Sequence, residues 1–161
     1  MGAKIVSSDI EKKLEHSRAA YKFAINSLPD PRALESGPVD VNMFEFSKES
    51  QVSSMLIEFG WAFYCRYEAC LEAFIREHSV KLSREYWLEN WMEENDVGIP
   101  KEYVGGLESY RHVRNWLHHR DGQNEDGTEI HLLPEHMDQF YSLFIWIASA
   151  IAAKNGNKKV D

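Results

Sequence analysis

The residues best suited to chemistry lie in one stretch, residues 111–122, which reads Arg-His-Val-Arg-Asn-Trp-Leu-His-His-Arg-Asp-Gly. The stretch holds three arginines and three of the seven histidines of a chain whose formal net charge is −8. A guanidinium group can bind two phosphate oxygens at once, and an imidazole exchanges a proton near neutral pH. The sequence therefore indicates a local cationic site suited to chemistry on a phosphate.

Arg114 and His119, with four residues between them, could converge on one cleft near the end of a helix. The histidine would take the proton of a ribose 2′ hydroxyl, the 2′ oxygen would attack the adjacent phosphorus, and the arginine would stabilise the charge of the phosphorane. This reaction needs no metal. It requires RNA, because DNA lacks the 2′ hydroxyl.

The elements that must position these side chains are all predicted to be helices. Apolar residues recur at three- and four-residue steps. The predicted helices cover residues 8–27, residues 47–78, residues 83–95, a segment that begins between residues 101 and 107 and ends before a polar loop at 121–131, and a last segment from Pro134 to about Gly156. The sequence therefore predicts one all-α domain over residues 1–161, an antiparallel bundle of four to five helices, with a long connection at 28–46.

Glu68, Glu72 and Arg76 are spaced by four residues along the second predicted helix. Such a pattern is typical of a solvated ladder of ion pairs on a helix surface. The alternative is that Glu68 or Glu72 faces the cationic stretch and holds one of its arginines in place. The sequence leaves both interpretations open.

The last predicted helix is apolar from Phe140 to Ala153 except for two serines. It is too short for a membrane span, which takes about 20 apolar residues. A helix that is apolar on all sides must be buried on more than one side. We therefore expect either a central position in the bundle or a subunit interface, and no membrane association.

The net charge, the cysteines and the spacing of the histidines argue against several other classes of function. The net charge of −8 argues against broad electrostatic capture of nucleic acid. Cys65 and Cys70 lie in an apolar helical stretch, which favours buried free thiols and a reducing cytoplasm. No secretory signal is recognisable at the start of the chain. The spacing of the histidines matches no metal-ligand pattern, so we predict no metal and no cofactor.

Arg114, Asn115 and His119 resemble the motif of the ribonuclease members of the HEPN superfamily (higher eukaryotes and prokaryotes nucleotide-binding). That motif is an arginine, usually a polar residue next, and a histidine after four to six intervening residues. From about Ser47 onward the setting is also similar: a small helical domain, the motif on a late helix, a loop and a final apolar helix.

The resemblance implies a metal-independent endoribonuclease that acts as a homodimer, with two copies of the motif facing each other. Arg114 would bind the phosphate, His119 would exchange the proton, and Asn115 would orient the arginine or contact phosphate. His118 could substitute or assist, because Arg111 and His118 also fit the motif with six intervening residues.

Further residues and partners belong to the same expectation. Arg111, His112 and Arg120 are predicted to contact RNA, with Glu68 or Glu72 as the acidic partner of an arginine. Family members often act as toxins or in antiphage defence, and many are paired with an antitoxin such as a small nucleotidyltransferase. The alternative is a catalytically inactive HEPN-like module that binds nucleotide, RNA or a protein partner.

Overall fold

Five helices make up most of the described chain. A computed structural model describes the backbone of residues 2–157 and the side chains of residues 9–156. The helices are α1 (Gly2–Asn26), α2 (Glu49–Glu77), α3 (Leu88–Glu94), α4 (Lys101–His119) and α5 (Pro134–Asn157). The predicted all-α helical bundle is confirmed, with one small sheet added to it.

Helix α5 lies at the centre of the bundle, where it packs against α1, α2 and α4. Phe144, Ile147 and Ile151 on α5 have no exposed surface, and Leu143 and Ala148 are almost fully buried. Of the two positions expected for this helix, the central one is therefore observed. Packing within one chain accounts for its apolar composition, so that composition no longer argues for a subunit interface.

Helix α1 covers one side of α2 and α5 with the apolar stripe that its sequence predicts. Ile10, Leu14, Ser17 and Tyr21 are buried at successive three- and four-residue steps. The hydroxyl of Ser17 donates to the carbonyl oxygen of Lys13 at 2.9 Å, which satisfies this polar group inside the stripe.

The connection at 28–46 contains structure that the sequence interpretation missed. A 3₁₀ turn at Pro31–Ser36 is followed by a hairpin of β1 (Val39–Val41) and β2 (Phe44–Phe46). The two residues between the strands, Asn42 and Met43, have φ angles of 50° and 67°. Two successive left-handed residues are the turn whose twist matches paired antiparallel strands.

Helix α3 begins five residues later than predicted, at Leu88 instead of residue 83. Ser83 does not cap a helix. Its N–H donates to the carbonyl of Tyr86 at 2.7 Å, and its hydroxyl accepts from the N–H of Tyr86 at 3.0 Å. These bonds close a turn over residues 83–86, and Asn90 caps the helix start by accepting from the N–H of Trp87 at 3.0 Å.

The structure corrects the expectation of two buried thiols on α2 and decides between the two interpretations of Glu68. Cys70 is buried but Cys65 is exposed, so only one of the two thiols is a core residue. Glu68 is buried beside Tyr64, Tyr67 and Leu71, which makes it part of the inner face of α2 and not part of a surface ladder.

Within residues 2–157, no helix has both the length and the apolarity that crossing a membrane requires.

Gly60 allows the carbonyl group of Leu132 to lie directly against α2, because an added Cβ would collide with the Leu132 carbonyl oxygen. Gly105 on α4 has open space where a Cβ would be. We predict that Gly60→Ala lowers the free energy of unfolding by about 1–3 kcal/mol through steric strain. Gly105→Ala should raise it by about 0.5–1 kcal/mol through better helix propensity. Urea unfolding of both variants checks this, and equal effects at the two sites would contradict the close approach.

Candidate active site on helix α4

Helix α4 is fixed to the bundle by one buried face. Leu107 and Tyr110 have no exposed surface and Val113 is almost buried, while Arg111, His112 and Asn115 lie on the exposed side. Arg114 lies between the two faces, with 36 % of its side chain exposed. The cationic stretch therefore presents several side chains to solvent from a helix that is held firmly in place.

The end of α4 is fixed by the loop that follows it. The N–H groups of Arg120 and Gly122 both donate to the carbonyl of Trp116, at 3.0 and 3.1 Å. Gly122 has a φ of 74° and lies against the ring of Trp61. The Trp61 ring N–H in turn donates to the carbonyl of Ile130 at 2.9 Å. These contacts end the helix at His119 and hold the loop against α2.

Arg114 is held by two glutamates of α2. Its Nε donates to Glu72 Oε1 at 2.8 Å, and its Nη2 lies 2.8 Å from the same oxygen. Glu68 Oε1 lies 3.0 Å from Arg114 Nε, but it accepts no hydrogen bond, because that N–H is directed at Glu72. The second sequence interpretation is thus confirmed: glutamates of α2 hold an arginine of α4.

Burial lowers the pKa of Arg114, but the hydrogen bond to Glu72 and the nearby carboxylates outweigh this effect and raise its pKa above the ordinary value. The guanidinium therefore keeps its charge. The contacts described use Nε and Nη2, which leaves Nη1 for a ligand.

His118 pairs with the buried carboxylate of Glu68. Its Nε2 donates to Glu68 Oε2 at 2.7 Å, while the Glu68 side chain is only 3 % exposed. Burial raises the pKa of Glu68 above its ordinary value, although the hydrogen bond from His118 acts in the opposite direction. The pair fixes the orientation of the His118 ring and leaves its Nδ1 as the nitrogen that could exchange a proton.

A cleft of about 810 Å³ opens beside these residues, between α4, the end of α2 and the segment that leads to α3. It brings together most of the predicted site. Its polar lining consists of Glu72, Arg76, Ser83, Arg84, Trp87, Tyr110, Arg111, His112, Arg114, Asn115, His119 and Glu125. Four arginines against two glutamates give this surface two net positive charges in a chain of net charge −8.

The cleft separates the two adjacent histidines. His119 lines it, and within the described residues its ring makes no hydrogen bond or ion pair. His118 and Glu68 do not line it. The predicted RNA contacts divide in the same way: Arg111 and His112 line the cleft, whereas Arg120 is exposed outside it.

Three cleft residues were given no role in the predicted site. Arg76 belonged to the pattern of four-residue steps on α2, and Arg84 and Trp87 lie in the third predicted helix, to which no site residue was assigned. The half-buried Trp87 ring lies 5.6 Å from that of Tyr110, and the Arg114 guanidinium carbon lies 5.8 Å from the Trp87 ring centre. The positions of Arg76, Arg84 and Trp87 in the sequence did not indicate the cleft, because the segment between α2 and α3 meets α4 only in the folded protein.

No cluster of three or more histidine, cysteine or acidic side chains that could hold a metal ion occurs among the described residues. His131 instead lies 3.2 Å from Glu129, and His136 Nδ1 accepts from the N–H of Leu133 at 3.1 Å, at the start of α5.

Comparison with known proteins found no matching family model, no matching curated protein and no matching solved structure. The resemblance to the HEPN superfamily therefore stays a prediction from the motif, and the function has to be argued from the geometry of the cleft.

The raised pKa of Glu68 predicts a pH dependence of stability. A folded state that binds this proton more tightly than the unfolded chain gains stability below the ordinary pKa of 4.5 and loses it as the pH rises through the raised value. We therefore expect the stability of Glu68→Gln, relative to the natural protein, to increase over that window. Urea unfolding from about pH 4 to about pH 8 measures the difference.

Glu58→Gln is the matched control, because Glu58 is an exposed carboxylate on the same helix. It should show no comparable change with pH. A relative stability of Glu68→Gln that fell with rising pH would contradict burial as the dominant effect on this carboxyl.

Proposed function

We propose that this protein is a metal-independent endoribonuclease whose reaction takes place in the cleft of α4. The observation that carries the proposal is that Arg114, Asn115 and His119 line one cationic cleft, with the imidazole of His119 unengaged by other described residues. A guanidinium for the phosphate and a free imidazole for the proton are the two groups that cleavage of RNA through its 2′ hydroxyl requires.

In the proposed reaction, His119 takes the proton of a ribose 2′ hydroxyl. The 2′ oxygen then forms a bond to the adjacent phosphorus, and Arg114 stabilises the charge of the phosphorane through its remaining N–H groups. The bond from phosphorus to the 5′ oxygen breaks, and that oxygen takes a proton from a protonated imidazole. The products are a 2′,3′-cyclic phosphate and a free 5′ hydroxyl.

Asn115 supports this reaction as a neutral donor beside Arg114, able to contact a phosphate oxygen. His118 has a different proposed role, because its hydrogen bond to Glu68 directs it toward α2. We propose that it positions α4 and Arg114 and does not act as the base.

The homodimer is proposed from the resemblance alone, because packing inside the chain already explains the apolar α5. A second copy of the exposed face of α4 would supply the second imidazole, the one that protonates the leaving oxygen. A cytoplasmic toxin or antiphage effector restrained by a partner protein such as a nucleotidyltransferase is the biological setting that the resemblance suggests.

A second candidate function is a catalytically inactive module that binds RNA, nucleotide or a protein partner in the same cleft. The observation in its favour is the engagement of Arg114 by Glu72 and the proximity of Glu68. These carboxylates neutralise part of the positive charge with which Arg114 would stabilise a phosphorane.

Cleavage of single-stranded RNA in the presence of EDTA tests the enzyme directly. Arg114→Ala and His119→Ala should each reduce the rate by about 10²–10⁴-fold, because each removes a group that acts on the transition state. His118→Ala should cost much less. The products should carry a 2′,3′-cyclic phosphate, and an oligonucleotide with 2′-O-methyl groups should stay intact.

His16→Ala, an exposed histidine of α1, is the control and should cleave at the natural rate. If the natural protein binds RNA but never cleaves it, the binding module is correct. If His118→Ala loses activity while His119→Ala keeps it, the assignment of the base is wrong.

Analytical ultracentrifugation tests the homodimer. We expect a dimer at micromolar protein concentration, and Asn115→Arg on the exposed face of α4 should shift it toward monomer by bringing like charges together. A natural protein that stays monomeric while it cleaves RNA would show that one copy of the motif is sufficient.

A further inference from the structure

Three arginines of the cleft lack a carboxylate partner. Arg76 comes from α2, Arg84 from the segment between α2 and α3, and Arg111 from α4. Within residues 9–156 none of them makes an ion pair or a side-chain hydrogen bond, whereas Arg114 makes both. The chain has 26 acidic residues against 18 basic ones, so unpaired arginines on one concave surface are not a consequence of composition. Their mutual repulsion is relieved when an anion binds among them.

Phosphate is the anion that this arrangement suits best. Guanidinium groups bind phosphate through paired N–H donors, and three of them around one concavity can contact more than one phosphate group. Three different elements supply the arginines, so they surround the cleft instead of following one helix face. Arg114 is the fourth arginine of the lining, and the other three are additional to the proposed reaction.

Trp87 adds an aromatic ring to this surface. It is half-buried, lines the cleft and lies beside Arg114. Aromatic side chains next to cationic groups bind single strands, because an unstacked base can lie against the ring while its phosphates meet the arginines. A cleft of about 810 Å³ has room for a short length of single strand.

We propose that Arg76, Arg84 and Arg111 form a second phosphate subsite, so that the cleft holds single-stranded RNA through successive phosphates with one base against Trp87. For its substrate the inference rests on the proposed ribonuclease function. Arg114 and His119 act on the phosphate that is cleaved, and the second subsite holds its neighbour.

Binding of an uncleavable strand tests the subsite separately from catalysis. The probe is a fluorescein-labelled single-stranded RNA oligonucleotide with 2′-O-methyl groups throughout, and fluorescence anisotropy gives its affinity over a range of salt concentrations. Arg76→Gln, Arg84→Gln and Arg111→Gln should each weaken binding and reduce the slope of log affinity against log salt by about 0.7 per lost phosphate contact. Arg66→Gln is the matched control, since Arg66 is an exposed, unpaired arginine of α2 outside the cleft.

Trp87→Leu should weaken binding by about tenfold without changing the salt slope, because stacking releases no counterions. Circular dichroism checks that Trp87→Leu is folded. If it is not, the three arginine variants still test the subsite, because these arginines are exposed. A duplex of the same sequence should compete at least tenfold more weakly than the single strand.

The subsite is wrong if the three cleft variants keep the salt slope of Arg66→Gln, if the duplex competes equally, or if the natural protein does not bind the probe. Reduced slopes together with no cleavage of unmodified RNA would refute the ribonuclease and leave the subsite standing. Cleavage with unchanged slopes would refute the subsite and leave the ribonuclease standing.

Discussion

The geometry of this site depends on one buried carboxylate. Glu68 lies on the inner face of α2 with 3 % of its side chain exposed, and it faces His118 and Arg114 of α4. Burying a carboxylate is costly, and its raised pKa means that burial outweighs the help of its partners. A shift of α4 by one turn, about 5.4 Å, would leave this carboxylate with at most one of its two partners, because His118 and Arg114 are themselves one turn apart. The ion pair therefore fixes the register of α4 on α2, and with it the side of α4 that faces the cleft.

This register gives two adjacent histidines different surroundings. Consecutive residues on a helix point about 100° apart, so a helix that directs His118 toward Glu68 directs His119 elsewhere. His119 is also the last residue of α4, where the chain leaves the helix beside the cleft. One histidine is oriented by a buried acid, and the other keeps both ring nitrogens for a substrate. The sequence pattern fits either histidine, whereas the structure distinguishes them by their contacts.

Periodicity in the sequence was enough to predict the helices, because burial requires apolar residues at every turn, as at Ile10, Leu14 and Tyr21. It was weaker where the signal is short. The hairpin at 39–46 has strands of three residues, and its turn consists of Asn42 and Met43 instead of the glycine that usually marks such a turn. Spacing by four could not reveal the burial of Glu68, because a surface ladder and a buried ion pair have the same pattern. Arg84 and Trp87 reach the cleft through the packing of segments that are distant in sequence, and no local sequence pattern indicates such a contact.

The charge distribution limits how a substrate can be recognised. A chain of net charge −8 repels phosphate at long range most strongly at low salt, and at physiological salt this repulsion is screened beyond about 8–10 Å, so long-range steering does not draw RNA to the cleft. Affinity must then come from contacts inside the cleft, where the four arginines outnumber the two glutamates. A binding module and a ribonuclease would use the same contacts. They would differ in whether the bound strand brings a 2′ hydroxyl to the free imidazole of His119, and in whether Nη1 of Arg114, which Glu72 does not engage, reaches the phosphate.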